Sequence, residues 1–148
     1  MALEETLEDM HIHDPQSADS GENPVLFEAF EWYLPSDHKH WQRLRLALPA
    51  LKDIGIDYLW LPPGSKAKDL ESNGYDIYDA YDLGEFDQKG GVPTKFGTKK
   101  DLTDLADEAT RMKMGLIWDA IFNHRGFADS TEKVKVVEVD PQGMFIIW

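Results

Sequence analysis

The sequence is 148 residues long, room for one domain of ordinary size or for part of a larger one. Lys and Arg total 15 against 28 Asp and Glu, and the net charge of −13 argues against nucleic acid and anionic membrane surfaces as partners. The absence of cysteine excludes disulfides and thiolate metal sites, and the 42% hydrophobic content exceeds that of a disordered chain.

The opening residues Met1-Ala2-Leu3-Glu4-Glu5-Thr6 lack the basic start and apolar run of a secretory signal. No window reaches membrane-spanning length, so a cytoplasmic location is expected. Residues 1–24 are acidic, polar and interrupted by Asp14-Pro15 and Ser20-Gly21, and read as a disordered tail. His11 and His13 lack the further ligands of a metal site and read as solvated tail residues.

From Val25 to Tyr33 the chain is β-rich and nearly continuous in hydrophobicity, which predicts a first strand near 25–33 covered on both faces. The Pro35-Ser36-Asp37 turn offers capping side chains, and Trp41, Leu44, Leu48 and Leu51 recur at helical spacing before a Gly55 stop. A helix near 40–54 follows. Pro49 lies inside it and is expected either to kink it or to open a second short helix. Ile56 to Leu61 is a second buried-strand run, closed by Pro62-Pro63-Gly64. Apolar strands joined by a crossover of this length predict parallel pairing and an α/β fold.

A second such unit follows after more than thirty residues rich in Gly and Tyr, a length that in a compact domain points to function or disorder; the aromatic content favours function. Thr98-Lys99-Lys100-Asp101 reads as a capping box, and Leu102, Leu105, Ala109 and Met112 form the apolar stripe of a helix near 99–114. Gly115 ends that helix, and a third strand near 115–123 follows. Right-handed crossovers place both helices on one side of the sheet. Val134 to Asp140 alternates like a half-exposed strand outside the parallel set.

Loops after strand C-termini build the site of a parallel α/β barrel, so the strand ends matter most. The third ends on Asp119-Ala120-Ile121-Phe122-Asn123-His124, a carboxylate followed by an amide and an imidazole. That block resembles the first of the short blocks marking the alpha-amylase family. Phe30-Glu31-Trp32-Tyr33-Leu34-Pro35, Leu59-Trp60-Leu61-Pro62-Pro63 and the run from Asn73 to Phe86 resemble other family segments. So do Lys95-Phe96-Gly97-Thr98 and Val137-Glu138-Val139-Asp140-Pro141. These occur in family order over residues 26–142, and the chain is most similar to the liquefying bacterial and intracellular fungal members.

The resemblance implies a partial (β/α)8 barrel of three strands and two helices. Residues 25–124 would form the N-terminal part of the catalytic barrel, and 125–148 the start of a domain inserted after strand three. It implies retaining hydrolysis of internal α-1,4 bonds in starch or glycogen, by a nucleophilic carboxylate and an acid/base carboxyl about 5–5.5 Å apart. The family carries its catalytic carboxylates at the ends of strands four, five and seven, so none is assigned to this chain. The closing Gly143 to Trp148 departs from the family pattern, which suggests an interrupted reading frame, a retained intron or a splice variant.

Carried over by position, Tyr75 stacks on a sugar ring and His124 donates to a glucose hydroxyl beside the cleaved bond. Trp32 lines the far end of the cleft or belongs to the core. Asn123 matches a calcium ligand, an amide oxygen being suited to a hard cation; without the other ligands it is a turn-forming residue. Asp119 points inward and holds neighbouring loop ends by hydrogen bonds. Two further readings stay open: a non-catalytic glucan-binding or interaction protein, and a chain whose open sheet edges leave it without a stable fold.

Overall fold

The computed structural model describes residues 23–133, 135, 138–139 and 146–147. In chain order its elements are β1 (Leu26–Glu28), α1 (His40–Asp53), β2 (Tyr58–Leu61), β3 (Lys66–Ala67), β4 (Ile77–Asp79), α2 (Lys99–Arg111), β5 (Gly115–Trp118), β6 (Glu138–Val139) and β7 (Ile146–Ile147). The sequence-based tail of residues 1–24, with His11 and His13, lies outside the described residues but for its last two. Most of the strand expected at 134–140 also lies outside them; Glu138–Val139 pairs antiparallel with Ile146–Ile147.

β1, β2 and β5 form one sheet in the order β1-β2-β5, with both pairings parallel and Leu61 opposite Trp118. This is the arrangement the alternating strand and helix runs predict. Leu59 and Leu61 face the helices and are buried, while Trp60 and Ile117, on the opposite face, are 36% and 43% exposed. Among the described residues β2 and β5 are therefore covered on one face, and in β1 Leu26 and Phe27 are both exposed, where continuous hydrophobicity had suggested two covered faces.

The core lies between sheet and helices. Trp41, Leu44 and Leu48 of α1 meet Leu102, Leu105 and Ala109 of α2, together with Leu59, Leu61, Ile56 and Met114. Each fully buried leucine contributes about 1.5–3 kcal/mol relative to exposure, so these apolar stripes hold the helices on the sheet. Trp41 and Leu105 are both fully buried. His40 extends this contact to the first strand, donating from Nε2 to the Ala29 carbonyl at 2.8 Å. Burial holds its imidazole below the ordinary value and hence neutral.

Several element ends differ from the sequence-based reading for local reasons. β1 stops at Glu28, although the Ala29 N–H still donates to the Trp60 carbonyl at 2.9 Å, and the chain then turns, the Glu31 carboxylate accepting from the Tyr33 N–H at 2.6 Å. β5 stops at Trp118 because its partner runs into Pro62 and Pro63, which have no N–H to offer; Asp119 still donates to Leu61 at 3.2 Å. α1 runs through Pro49 as one helix, so no second helix opens there. Its N-cap is Lys39, without a side-chain cap. Asp37 instead receives Arg43 at 2.7 Å, and the Trp41 N–H is satisfied by the Phe96 carbonyl at 3.0 Å.

Gly55 does close α1. Gly115 does not close α2. Lys113 takes the left-handed position after Met112, and Gly115 serves packing, since a β-carbon there would lie 2.2 Å from the Tyr58 ring.

The capping box expected at the start of α2 is present: the Asp101 N–H donates to Thr98 Oγ1 at 3.2 Å and the Thr98 N–H to Asp101 Oδ2 at 3.1 Å. Burial opposes ionisation of Asp101, but hydrogen bonds from Thr98 and Gln42 outweigh it and hold its pKa below 3.8. Thr98→Ala is expected to cost about 1 kcal/mol, a fall of roughly 2–4 °C in the unfolding midpoint by circular dichroism. A depressed carboxylate stabilises above its unfolded pKa and loses that contribution as the pH falls through its folded value, so the variant's deficit should shrink on acidification below about pH 4. An unchanged midpoint at pH 7 would show that the box does not hold α2.

Candidate functional site

The site forms where the strands of the parallel sheet end. Leu61 and Trp118 are opposite one another, so Pro62 and Asp119 emerge side by side. The segment after β2 leaves through the buried run Pro62 to Ala67 and returns as a hairpin, β3 against β4. Gly74 lies on this excursion at a φ of 90°, and a β-carbon there would meet the Pro63 carbonyl oxygen at 2.0 Å. Only glycine permits both the backbone angle and the approach, and Tyr75 is delivered back over the strand ends as a result.

Tyr75 is the hub. Its hydroxyl donates to Asp119 Oδ2 at 2.7 Å, tying the excursion to the end of β5. Its carbonyl accepts from His124 Nε2 at 2.7 Å, and because a carbonyl only accepts, Nε2 carries the proton. Its ring lies nearly parallel to that of Trp32, with centroids 5.9 Å apart and planes 17° apart. Trp32 is 61% exposed. It therefore does not belong to the core; it stands beside Tyr75 and covers one face of the Tyr75 ring.

Two residues that the sequence did not single out fix this arrangement. Asn73 Nδ2 donates to the Trp32 carbonyl at 3.0 Å, and the buried Lys95 donates to Asn73 Oδ1 at 2.5 Å. Lys95 stands in a recognisable motif, but nothing in its spacing connects it to Asn73. A cavity of about 530 Å³ opens beside the pair, walled by Trp32, Tyr75, Asn73, Ser72, Lys68 and Asp76. Beyond His124, the chain packs back on the hairpin through Arg125, which donates to the Tyr78 carbonyl, and through Gly126, which donates to Ile77 at 3.0 Å.

Trp32, Tyr75, Asp119 and His124 are thus brought together. Asn123 is exposed and joins none of their hydrogen bonds. Calcium takes about six to eight oxygens. Among the described residues no three His, Asp or Glu side chains gather into a metal-binding group, so they do not by themselves form such a cage.

Burial, the hydrogen bond to Asp119 and the negative charges of Asp119 and Glu28 push the Tyr75 hydroxyl up to about 12. A raised folded-state pKa stabilises fully below the unfolded value near 10, and that stabilisation disappears as the pH rises through about 12. In an ultraviolet titration of tyrosinate, Tyr75→Phe should remove the component that ionises at highest pH and leave the others in place. Loss of a component near pH 10 instead would mean that the Tyr75–Asp119 bond is not formed.

A family model described as the alpha amylase catalytic domain matches residues 35–145. The chain is 42% identical over 136 residues to a glucan 1,4-alpha-maltohexaosidase of a Bacillus species, covering 92% of this chain and 25% of that protein. It is 43% identical over 119 residues to a protein named cytoplasmic alpha-amylase in Escherichia coli, covering 80% of this chain and 24% of that one. A solved alternansucrase in complex with isomaltononaose shares its fold, with a TM-score of 0.67 at 23% identity over 81% of this chain and 11% of the other. The chain spans about a quarter of the length of the curated relatives it matches. From the first turn before α1 to the residues beyond β6, then, it belongs to the alpha-amylase catalytic-domain family.

Proposed function

We propose that this chain is the N-terminal part of a retaining glycoside hydrolase acting on internal α-1,4 bonds of starch or glycogen, and that it supplies the sugar-binding wall and not the reacting carboxylates. In this reading β1, β2 and β5 are the first three strands of a (β/α)8 barrel, and the residues after His124 begin an inserted domain. The observation that carries it is the meeting of Trp32, Tyr75 and His124 at the C-terminal edge of the parallel sheet, where barrels of this kind bind their substrates.

A pyranose presents apolar C–H faces and polar rims. The exposed Trp32 and the uncovered part of the half-buried Tyr75 ring offer aromatic surface to the faces, and the imidazole of His124 offers polar contact to a hydroxyl. Asp119 positions Tyr75 and takes no part in bond breaking. Asn123 contributes one oxygen to a calcium site completed by other residues, an assignment resting on its place in the family block. The location is proposed to be cytoplasmic, in keeping with the relative of that name in Escherichia coli. A glucan-binding role without chemistry is the second reading, favoured by the exposed Trp32 face. An Asp at a fourth strand and a Glu at a fifth, encoded downstream of Gly143, would decide for the enzyme.

Retaining hydrolysis needs two carboxyl groups about 5–5.5 Å apart across the bond. No such pair is assigned here, so purified 1–148 should release no reducing ends from soluble starch above a buffer blank, with or without calcium. Clear turnover would mean that a competent pair lies within these residues. Maltohexaose binding, followed by NMR shifts, should weaken roughly 5–10-fold in Tyr75→Ala, the loss of about 1 kcal/mol of ring contact. Undiminished binding would remove Tyr75 from the site.

A further inference from the structure

The excursion between β2 and α2 is the longest stretch of irregular backbone in the described residues, yet it is closed around one charge. Lys66 Nζ donates to the carbonyls of Phe86, Gly91, Val92 and Pro93 at 3.1, 2.9, 2.7 and 3.3 Å and lies 3.3 Å from Asp82 Oδ2. The Lys66 and Asp82 side chains are 1% and 0% exposed. Asp82 in turn accepts the N–H groups of Gly84, Glu85 and Phe86 on Oδ1 and the Gln88 amide on Oδ2. Burial opposes its ionisation, but those backbone hydrogen bonds and the ammonium outweigh it and hold the carboxyl below its ordinary value.

We propose that Lys66 is the positioning residue of this excursion, a tethered cation that does the work of a bound metal ion, and that its oxygen cage is a latent site for a free ammonium-type cation. Five oxygens, four backbone carbonyls from Phe86 and the consecutive Gly91, Val92 and Pro93 and one from a carboxylate, converge on a single nitrogen. An ion pair alone needs only the carboxylate. Among the described residues the carbonyls of Phe86, Val92 and Pro93 belong to no sheet ladder, while that of Gly91 also accepts the Gln88 N–H at 3.2 Å. Left without a donor around the buried position of the Lys66 ammonium, such acceptors are costly. The spacings of 2.7–3.3 Å are those of N–H···O bonds and exceed the roughly 2.3–2.6 Å of calcium, so the cage as built has the geometry of an ammonium site and not of a calcium site. The inference rests on no sugar; if the glucan reading holds, the loop held in this way is the one that delivers Tyr75.

Replacing both members of an ordinary buried ion pair by neutral groups is often harmless, whereas removing one is strongly destabilising. Lys66→Met should lower the unfolding midpoint of the 148-residue chain by roughly 10 °C. The double variant Lys66→Met with Asp82→Asn should recover none of that loss, because the Phe86, Val92 and Pro93 carbonyls still lack the Lys66 donor; recovery would reduce the site to a simple ion pair and overturn the proposal. Lys66→Ala leaves room for the cation itself. Methylammonium chloride should raise its midpoint, or restore near-ultraviolet circular dichroism if the variant is unfolded, while tetramethylammonium chloride at the same concentration does neither. Equal effects of the two salts, or none, would overturn it. In the unaltered chain, one lysine ammonium should give a 1H–15N signal protected from exchange at pH 7, and the absence of any would also count against the cage.

Discussion

The parallel register that sets Leu61 opposite Trp118 decides where Asp119 lies and hence where Tyr75 is anchored. Parallel strands all end at one edge, and the connections leaving that edge must travel before they return. With β2 and β5 in this register, the prolines after one strand and Asp119 after the other emerge together, and the excursion that leaves from Pro62 finds Asp119 as its nearest anchor. The Tyr75–Asp119 hydrogen bond is therefore a consequence of strand pairing. A slip of one residue would exchange the faces of β5, sending Ile117 toward the helices and Asp119 away from Tyr75.

Periodicity made much of this legible. The stripes Trp41–Leu44–Leu48 and Leu102–Leu105–Ala109 are buried as their spacing requires, and the Thr98–Asp101 box caps α2. These features are local, set by residues three or four apart. Element ends were less legible because they depend on what lies across the sheet: β5 ends when its partner reaches proline, and Gly115, which the sequence suggested as a helix stop, lies beneath the Tyr58 ring while Lys113 takes the left-handed turn after α2. The β3–β4 hairpin escaped notice for the same reason. Its two-residue strands carry no alternation to detect, and the cation that closes the loop around them reads in sequence as one more lysine.

For the site, the sequence singled out Tyr75, His124, Trp32 and Asp119, which meet, and Asn123, which is exposed and shares none of their hydrogen bonds. It did so through resemblance to a family block, since a tyrosine among several tyrosines has no signature of its own. The resemblance could not place Trp32 against Tyr75. Nor could it find the chain of contacts from Lys95 through Asn73 to the Trp32 carbonyl, which depends on side chains 22 and 41 residues apart in sequence.

The Tyr75 ring is constrained more tightly than its partial exposure suggests. The hydroxyl is committed to Asp119, one face lies along Trp32, and the carbonyl holds His124. A ring so fixed loses little conformational freedom when a ligand settles on what remains open, which is the Trp32 surface, the adjoining cavity and the free nitrogen of the imidazole. Recognition on such terms works by shape and apolar contact, with one polar group to set orientation. A neutral ring of alternating C–H and O–H groups meets those terms. It also feels little of the field of a chain with a net charge of −13, which would repel an anion approaching the same edge.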